Sequence, residues 1–396
     1  MSNPPQPSIP DPRRILVRGV NWLGDAVMTT PALFRLRERF PDAHIALATP
    51  KDLKDLWLRH QAIDEIISFN IEDEIWDVAR KIRLHASSLF KPAFDLAIVF
   101  PNSPRSALEV WLARIPWRLG YARPWRNWFL TQAIPTRPGA VKMRKRSVAE
   151  IKRLANSPAD AAQNPSPVNR EPALASQNSA AHQVHEYLHL VAALGANRDP
   201  LPPYLAVTHE EINGAVQKFN LAAALANNRP LLAVNPGAEY GPAKRWPVER
   251  FIAATRDIQK RTNGIWLILG GTGDIEVAGR IEFQLRGQGS ELRNLAGQTS
   301  LRELCALLKV CRVLLTNDTG PMHVAAALGT PVVVPFGSTS PELTGPGLPG
   351  DPRHRLLQSG APCSPCFLRE CPIDFRCMNG IGVERVVEAV VKTLKR

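Results

Sequence analysis

Three short stretches bring together residue types that can activate a hydroxyl and stabilise a departing anion. In "NWLGDAVMTTPAL", Gly24 and Asp25 follow the alternating, β-branched segment "RILVRG" and precede apolar positions that recur at three and four. Strand, loop and helix in that order put Asp25 beside the free amides of a helix start. Its carboxylate either caps that helix or acts as a general base on an acceptor hydroxyl. Arg18, at the end of the strand, either contacts a phosphate or pairs with Asp25.

In "TNDTGPMHVAAALGTPVV", Asp318, Thr319 and Gly320 turn a strand into a helix that starts near Pro321, a favoured first position. Free amides, a hydroxyl and a glycine that permits close backbone approach form an anion cradle. His323 lies one turn inside, as a structural residue or a neighbour of the bound anion. The Asp318 carboxylate would repel phosphate, so its task is to hold the turn or a sugar hydroxyl. In "NPGAEYGPAKRWP", Lys244 and Arg245 follow the apolar run "LLAVN", and Pro236, Gly237, Gly241 and Pro242 restrict the loop. Two cations at a strand end either neutralise a diphosphate leaving group or are surface charge without a task. "LGGTGDIE" is a partial Gly-rich turn in which Asp274 or Glu276 can reach a ribose or sugar hydroxyl.

Some patterns are missing. No G-x-x-x-x-G-K-[ST] or D-x-D occurs, which argues against P-loop hydrolysis. Without an Asp pair for a divalent ion, a leaving diphosphate depends on side chains and helix amides. "CSPCFLRECPIDFRC" places Cys363, Cys366, Cys371 and Cys377 at intervals of two, four and five intervening residues. Tetrahedral zinc or an iron–sulfur centre, reduced thiols, and redox pairing all fit four thiols so close together. Cys305 and Cys311, on an apolar helix, belong to a core.

The elements that carry these residues alternate strand and helix through the chain. "RILVRG", "HIALATP", "DEIISF" and "FDLAIVF" read as strands of one half; "LLAVN", "IWLILGG", "LRNLAG", "VLLTND" and "PVVVPFG" as strands of another. Several are continuous apolar runs, as parallel strands covered on both faces require. With 396 residues the chain exceeds one ordinary core. An α/β protein of two doubly wound domains is expected, with ligands at the strand carboxyl ends in the cleft between them. The expected parts are a disordered leader over 1–13, a first domain over 14–206, a second over 207–379 and a C-terminal helix over 380–396. "LANSPADAAQNPSPVNREPALASQNSAAH" is too polar to offset its ordering entropy, so a flexible insertion is expected at about 144–182. The start of the sequence lacks a secretory pattern and no apolar run spans a bilayer, so a cytoplasmic protein is expected.

A net charge of +13 calls for an anionic partner. Between Arg105 and Arg153, twelve Lys or Arg face only Glu109 and Glu150, interleaved with Trp111, Trp117, Trp125 and Trp128. That stretch is either a solvated basic face or a surface for a phosphate-bearing, partly apolar ligand at a membrane.

With "ILVRGVNWLGDAVMTTPAL", "PNSPRSAL", "PGAEYGPAKRWP", "RNLAGQTSL" and "NDTGPMHVAAALGTP" in this order, the chain resembles the heptosyltransferases of lipopolysaccharide inner-core assembly, glycosyltransferase family 9. The similarity runs from about Arg14 to Leu394, apart from the insertion. The resemblance implies two Rossmann-like domains in the GT-B arrangement and an inverting glycosyltransferase that needs no cofactor or metal for its chemistry. It implies ADP-heptose as donor, the first heptose of heptosyl-Kdo2-lipid A as acceptor, and peripheral contact with the cytoplasmic face of the inner membrane. By the same resemblance the base falls on Asp25 and the diphosphate-contacting lysine on Lys244. The Asp-Thr-Gly turn and its histidine fall on Asp318, Thr319, Gly320 and His323, and Asp274 or Glu276 is the sugar-side acid. Arg245 joins the donor side, and Arg18, Asn102, Arg105 and Arg123 the acceptor side. A structural metal at the four cysteines and a monomeric state are further expectations. The alternatives are an enzyme adding the first heptose, a transferase using another sugar nucleotide, and, from another class, a nucleic-acid-binding protein; no nucleic-acid motif favours the last.

Overall fold

The structure, a computed structural model, describes residues 11–85, 92–156, 180–227, 229–286 and 291–395. It divides into two units. The first holds the described residues up to Ala140 together with Gln183–Leu201; the second holds those from Val141 to His182 and from Pro202 onward.

In the first unit, β1 (Arg14–Arg18), β2 (His44–Pro50), β3 (Glu65–Phe69), β4 (Leu96–Val99), β5 (Trp117–Tyr121) and β6 (Gln132–Ile134) form one sheet in the order β3-β2-β1-β4-β5-β6. Every pairing is parallel. The second unit arranges β7 (Leu231–Asn235), β8 (Ile265–Ile268), β9 (Leu292–Asn294), β10 (Val313–Thr316), β11 (Val332–Phe336) and β12 (Arg355–Gln358) as β12-β11-β10-β7-β8-β9, again all parallel. Counted from its own first strand, each sheet has the doubly wound 3-2-1-4-5-6 order of a Rossmann fold. The order reverses between β1 and β4 in one unit and between β7 and β10 in the other, so the loops leaving those strands diverge to opposite faces and open a crevice.

Sequence patterning identifies the central strands because they are uninterrupted apolar runs; β4, β7, β8, β10 and β11 are buried throughout. It misses β5 ("WRLGY"), β6 ("QAI") and β12 ("RLLQ"), which lie at or next to sheet edges and carry polar residues or are only three residues long.

Helix Leu23–Arg39 follows β1 and contains Pro31, which cannot donate to the carbonyl of Val27. Thr30 Oγ1 donates to that oxygen at 2.8 Å and replaces the lost bond. Helix Val184–Ala192 packs against Leu23–Arg39, which explains why Gln183–Leu201 returns to the first unit.

The unit boundaries differ from a continuous first domain over 14–206. Residues 1–10 of the expected leader and 157–179 of the expected insertion lie outside the described residues. The described flank of the insertion forms helix Val148–Ala155, capped by Ser147 Oγ accepting from Glu150 N, and clusters with the second unit. The C-terminal helix Val383–Leu394 packs on helix Val248–Thr262 within that unit.

His60, His323 and His354 are buried, and burial lowers each imidazole to about 4. The unfolded chain therefore takes up protons first as pH falls below 6.5, and stability is lost progressively down to the folded values near 4. At pH 5 each histidine should cost about 2 kcal/mol of stability. Urea midpoints at pH 7 and pH 5 should differ accordingly, and by less in His354→Asn, which keeps an acceptor for Val332 N. An unchanged midpoint at pH 5 would count against the buried neutral imidazoles.

Candidate active site

In the first unit the residues gather at the carboxyl ends of β1 and β4. Asp25 sits in the first turn of helix Leu23–Arg39, whose N-cap residue is Trp22. Aligned peptide dipoles favour a carboxylate at that end. Gln183 Nε2 donates to Asp25 Oδ1 at 3.0 Å and to Tyr187 Oη at 2.9 Å, so one amide spans the carboxylate and a phenol. Tyr187 is buried; desolvation, then the charge of Asp25, raises its pKa well above the ordinary value and keeps it neutral.

Arg18 does not pair with Asp25. Its Nε donates to Glu109 Oε2 at 2.7 Å, Nη1 donates to Asn21 Oδ1 at 3.1 Å, and its guanidinium lies 4.4 Å from the Phe69 ring centroid. Arg18 and Glu109 are both buried, so this pair shapes the loop that carries Asp25. Arg105 donates to the other Glu109 oxygen at 3.1 Å and to the Asp73 carbonyl. Arg123 donates to Ala122 O at 2.8 Å and Thr136 Oγ1 at 3.0 Å.

Asn102 Oδ1 accepts from Arg126 Nη1 at 3.2 Å, and Arg126 Nη2 reaches the Val99 carbonyl at 3.4 Å. Sequence reasoning missed Arg126, one cation among many in its stretch. Here it is fully buried, and burial, with the charge of Arg123 added, lowers its pKa to about 10. Gly120 makes the room: a Cβ there would lie 2.6 Å from Arg126 Nη2. Among the described residues no carboxylate pairs with Arg126, so its charge reaches the strand ends uncancelled.

In the second unit the loops after β7 and β10 flank the reversal of strand order and are bridged by side chains. Lys244 Nζ is 2.8 Å from Asp318 Oδ2, and Thr339 Oγ1 donates to the same oxygen at 2.6 Å. Asp318 thus holds Lys244, and Lys244 also lies over the Tyr240 ring at 5.0 Å. Thr319 and Gly320 open helix Gly320–Ala327, with Pro321 in its first turn. His323 is buried inside that helix and is neutral at physiological pH, since desolvation outweighs the opposing pull of Asp318.

Asn317 is the residue here that sequence reasoning passed over. Its Nδ2 donates to Pro236 O at 2.7 Å and Gly237 O at 3.2 Å, while Oδ1 accepts from Trp246 N at 2.9 Å. One buried amide therefore fastens both ends of the Lys244 loop. Arg245 is exposed and reaches Ala238 O at 3.3 Å. Asp274 accepts from Gly271 N at 3.0 Å and packs against Gly237, where any side chain would collide with it. Glu276 is exposed on helix Ile275–Arg286. Asp274, not Glu276, is therefore the acid beside the Lys244 loop.

The structural metal expected at the cysteines is not supported. Among the described residues no group of three or more His, Cys, Asp or Glu side chains could hold a metal ion. Cys363 and Cys366 are buried around Ile151, whereas Cys377 packs in the large core with Met378 and Val387. Cys371 Sγ accepts from Phe375 N at 3.2 Å. Burial raises the Cys363 and Cys366 thiols and pushes Cys377 up to about 12, which favours protonated thiols over thiolate ligands.

Residues 82–375 match the model of glycosyltransferase family 9 (heptosyltransferase). The chain belongs to that family. It is 31% identical to lipopolysaccharide heptosyltransferase 2 of Salmonella typhimurium over 84% of this chain and 85% of that protein. It is 29% identical to lipooligosaccharide heptosyltransferase 2 of Haemophilus influenzae, again over 84% and 85%. The structure of E. coli ADP-heptose LPS heptosyltransferase II superposes with a TM-score of 0.71 at 27% identity, covering 96% of this chain and 98% of that one. A family 9 glycosyltransferase from Veillonella parvula shares the fold, with a TM-score of 0.74 at 23% identity over 97% of each chain. This family 9 chain is a glycosyltransferase built on the two Rossmann-like domains of a GT-B fold.

Replacing Asn317 with Ala should leave Trp246 N and the Pro236 and Gly237 carbonyls without their buried partner. The expected loss is about 2–3 kcal/mol of unfolding free energy, read from urea titration. A loss within error of zero would mean that the loop does not depend on this amide.

Proposed function

We propose that this glycosyltransferase moves L-glycero-D-manno-heptose from ADP-heptose to the first heptose of heptosyl-Kdo2-lipid A, with inversion at the anomeric carbon. The observation that carries the choice of acceptor is the extent of similarity. The type 2 heptosyltransferases of Salmonella typhimurium, Escherichia coli and Haemophilus influenzae align with 84% of the chain and those of Campylobacter jejuni with 44–45%, whereas heptosyltransferase 1 of Pseudomonas aeruginosa aligns with 36% of it.

An inverting displacement needs one base and one stabilised leaving group. Asp25 takes the proton of the acceptor hydroxyl as its oxygen bonds to the anomeric carbon, while the bond from that carbon to the diphosphate oxygen breaks and ADP leaves. Gln183 holds one Asp25 oxygen and so sets the direction of the other. Lys244, held by Asp318, with Arg245 and the first amides of helix Gly320–Ala327, receives the charge that develops on the departing diphosphate. Asp274 is the acid for a ribose or sugar hydroxyl. On the acceptor side, the uncancelled charge of Arg126 behind Asn102, with Arg105 and Arg123 nearby in sequence, favours an anionic ligand. Arg18 supports the loop from below.

The acceptor is a lipid, so we place the working enzyme at the cytoplasmic face of the inner membrane, as a peripheral protein acting as a monomer. Among the described residues no helix is long and apolar enough to cross a membrane.

Transfer assays with ADP-heptose and either heptosyl-Kdo2-lipid A or Kdo2-lipid A test the acceptor: product is expected only with the heptosylated lipid. Product only with Kdo2-lipid A would make this the enzyme that adds the first heptose. Asp25→Asn should lower kcat by at least about 100-fold, within the usual range for a lost general base, with the Kd for ADP-heptose nearly unchanged. Lys244→Met should weaken ADP-heptose binding and lower kcat together. A near-normal rate in Asp25→Asn would remove it from the mechanism.

A further inference from the structure

The tryptophans are divided unevenly between the units. Trp22, Trp76, Trp111, Trp125 and Trp128, all in the first unit, are exposed, whereas Trp246 and Trp266 of the second are buried. Trp57 of the first unit is buried and Trp117 half-buried, so it is the exposed five that forgo burial and mark a surface covered in use. Trp76 is 68% exposed and Trp111 46%, and together they line a groove of about 490 Å³ with Arg83, Leu112, Arg114 and Arg118.

The groove is cationic as well as aromatic. Arg83, Arg114 and Arg118 line it, while Lys81 on helix Ile75–Arg83 is paired with Asp73 at 2.6 Å. Arg83 and Arg114 are exposed at the ends of their elements and have no carboxylate partner among the described residues. Leu84, immediately after Arg83, is 72% exposed. Guanidinium groups beside indole rings and a bare leucine match the interface of an anionic bilayer, where rings enter the headgroup region and cations near the surface are attracted to the lipid phosphates.

The surface continues beyond the groove. Trp111 is 5.9 Å from Phe129, centroid to centroid, and Trp128 next to it meets Trp125 edge-on at 5.9 Å. Trp125 and Trp128 flank Arg126, the buried cation behind Asn102. Ile115 and Pro116 line the groove where the chain enters the amino end of β5, whereas Asn102 follows the carboxyl end of β4. The groove thus lies toward the amino end of β5, the end of the sheet away from Asn102.

We propose that the Trp76–Trp111 groove docks this unit on an anionic phospholipid surface. The proposal rests on the lipid acceptor assigned above, but its test does not need turnover.

The full chain is floated with vesicles of phosphatidylcholine, with and without phosphatidylglycerol, and indole fluorescence is read in parallel. Wild type should bind the anionic vesicles with a blue shift. Trp76→Ala/Arg83→Glu should lower that partition at least tenfold, while turnover of a deacylated, water-soluble acceptor stays at the wild-type rate. Arg114→Glu, which leaves the rings in place, should weaken binding only when phosphatidylglycerol is present. Equal partition of wild type and the double variant would overturn the proposal, as would failure of wild type to bind either vesicle. A wild-type mass that doubles with concentration, falls to the monomer in the double variant and leaves vesicle binding unchanged would assign the groove to a second copy instead. If the soluble acceptor is not turned over by wild type, the assigned reaction fails, and vesicle binding still decides the docking surface.

Discussion

The Lys244 loop of the second unit depends on a single amide, that of Asn317. The strand order of the second sheet puts β7 and β10 side by side, so the loops leaving them separate, and something must hold the longer loop against the shorter one. Asn317 does this because a carboxamide has both donors and an acceptor in one plane: it donates to two carbonyls at the start of the Lys244 loop and accepts from Trp246 N at its end. With both ends fixed, Lys244 is set against Asp318, and its ammonium is oriented before any ligand arrives. A buried aspartate, isosteric but without the donors, would face two carbonyl oxygens, so the requirement is for the amide itself.

The first unit meets the same topological demand with charge instead. Arg18 leaves the end of β1 and pairs with Glu109 on the helix after β4, joining the two elements that flank the reversal. Replacing a buried ion pair with apolar groups often costs little, but removing one partner leaves a bare charge, so the pair is better understood as specifying this loop geometry than as adding stability. Among the described residues Arg126 has no such partner. A fold that keeps a guanidinium buried, and keeps Gly120 so that it fits, maintains a positive field near the carboxyl end of β4.

The parts of the fold legible in the sequence were those where burial dictates composition. β7 as "LLAVN" and β10 within "VLLTND" are runs that only a strand covered on both faces tolerates, and the loops after them follow at once. Asp25, Lys244 and Asp318 were legible for the same reason, since each lies a few residues past such a run. Gln183 and Arg126 were not. Gln183 is distant from Asp25 in the chain and reaches it only because helix Val184–Ala192 returns to pack on Leu23–Arg39. Arg126 looks like every other arginine in a basic stretch until its burial is known, and Arg18 shows the converse, a residue well placed in sequence whose charge is already taken by Glu109.

The cysteine segment shows why spacing alone misleads. Four thiols within fifteen residues suggest a common ligand, yet Cys363 and Cys366 pack around Ile151 and Cys377 in the large core, and among the described residues no group of three could hold a metal ion. The segment serves as a brace. Its carbonyls at Phe367 and Arg369 accept from Tyr240 Oη and Ala243 N, so it backs the Lys244 loop on the side away from Asn317. Gly241 lets the loop come that close, since a Cβ would lie 2.6 Å from the Arg369 carbonyl. On its other side the segment is held by the described flank of the insertion: Arg146 donates to Pro362 O and Arg376 to Ala155 O. The helix Val148–Ala155 and the cysteine segment are therefore joined, and the segment in turn supports the Lys244 loop.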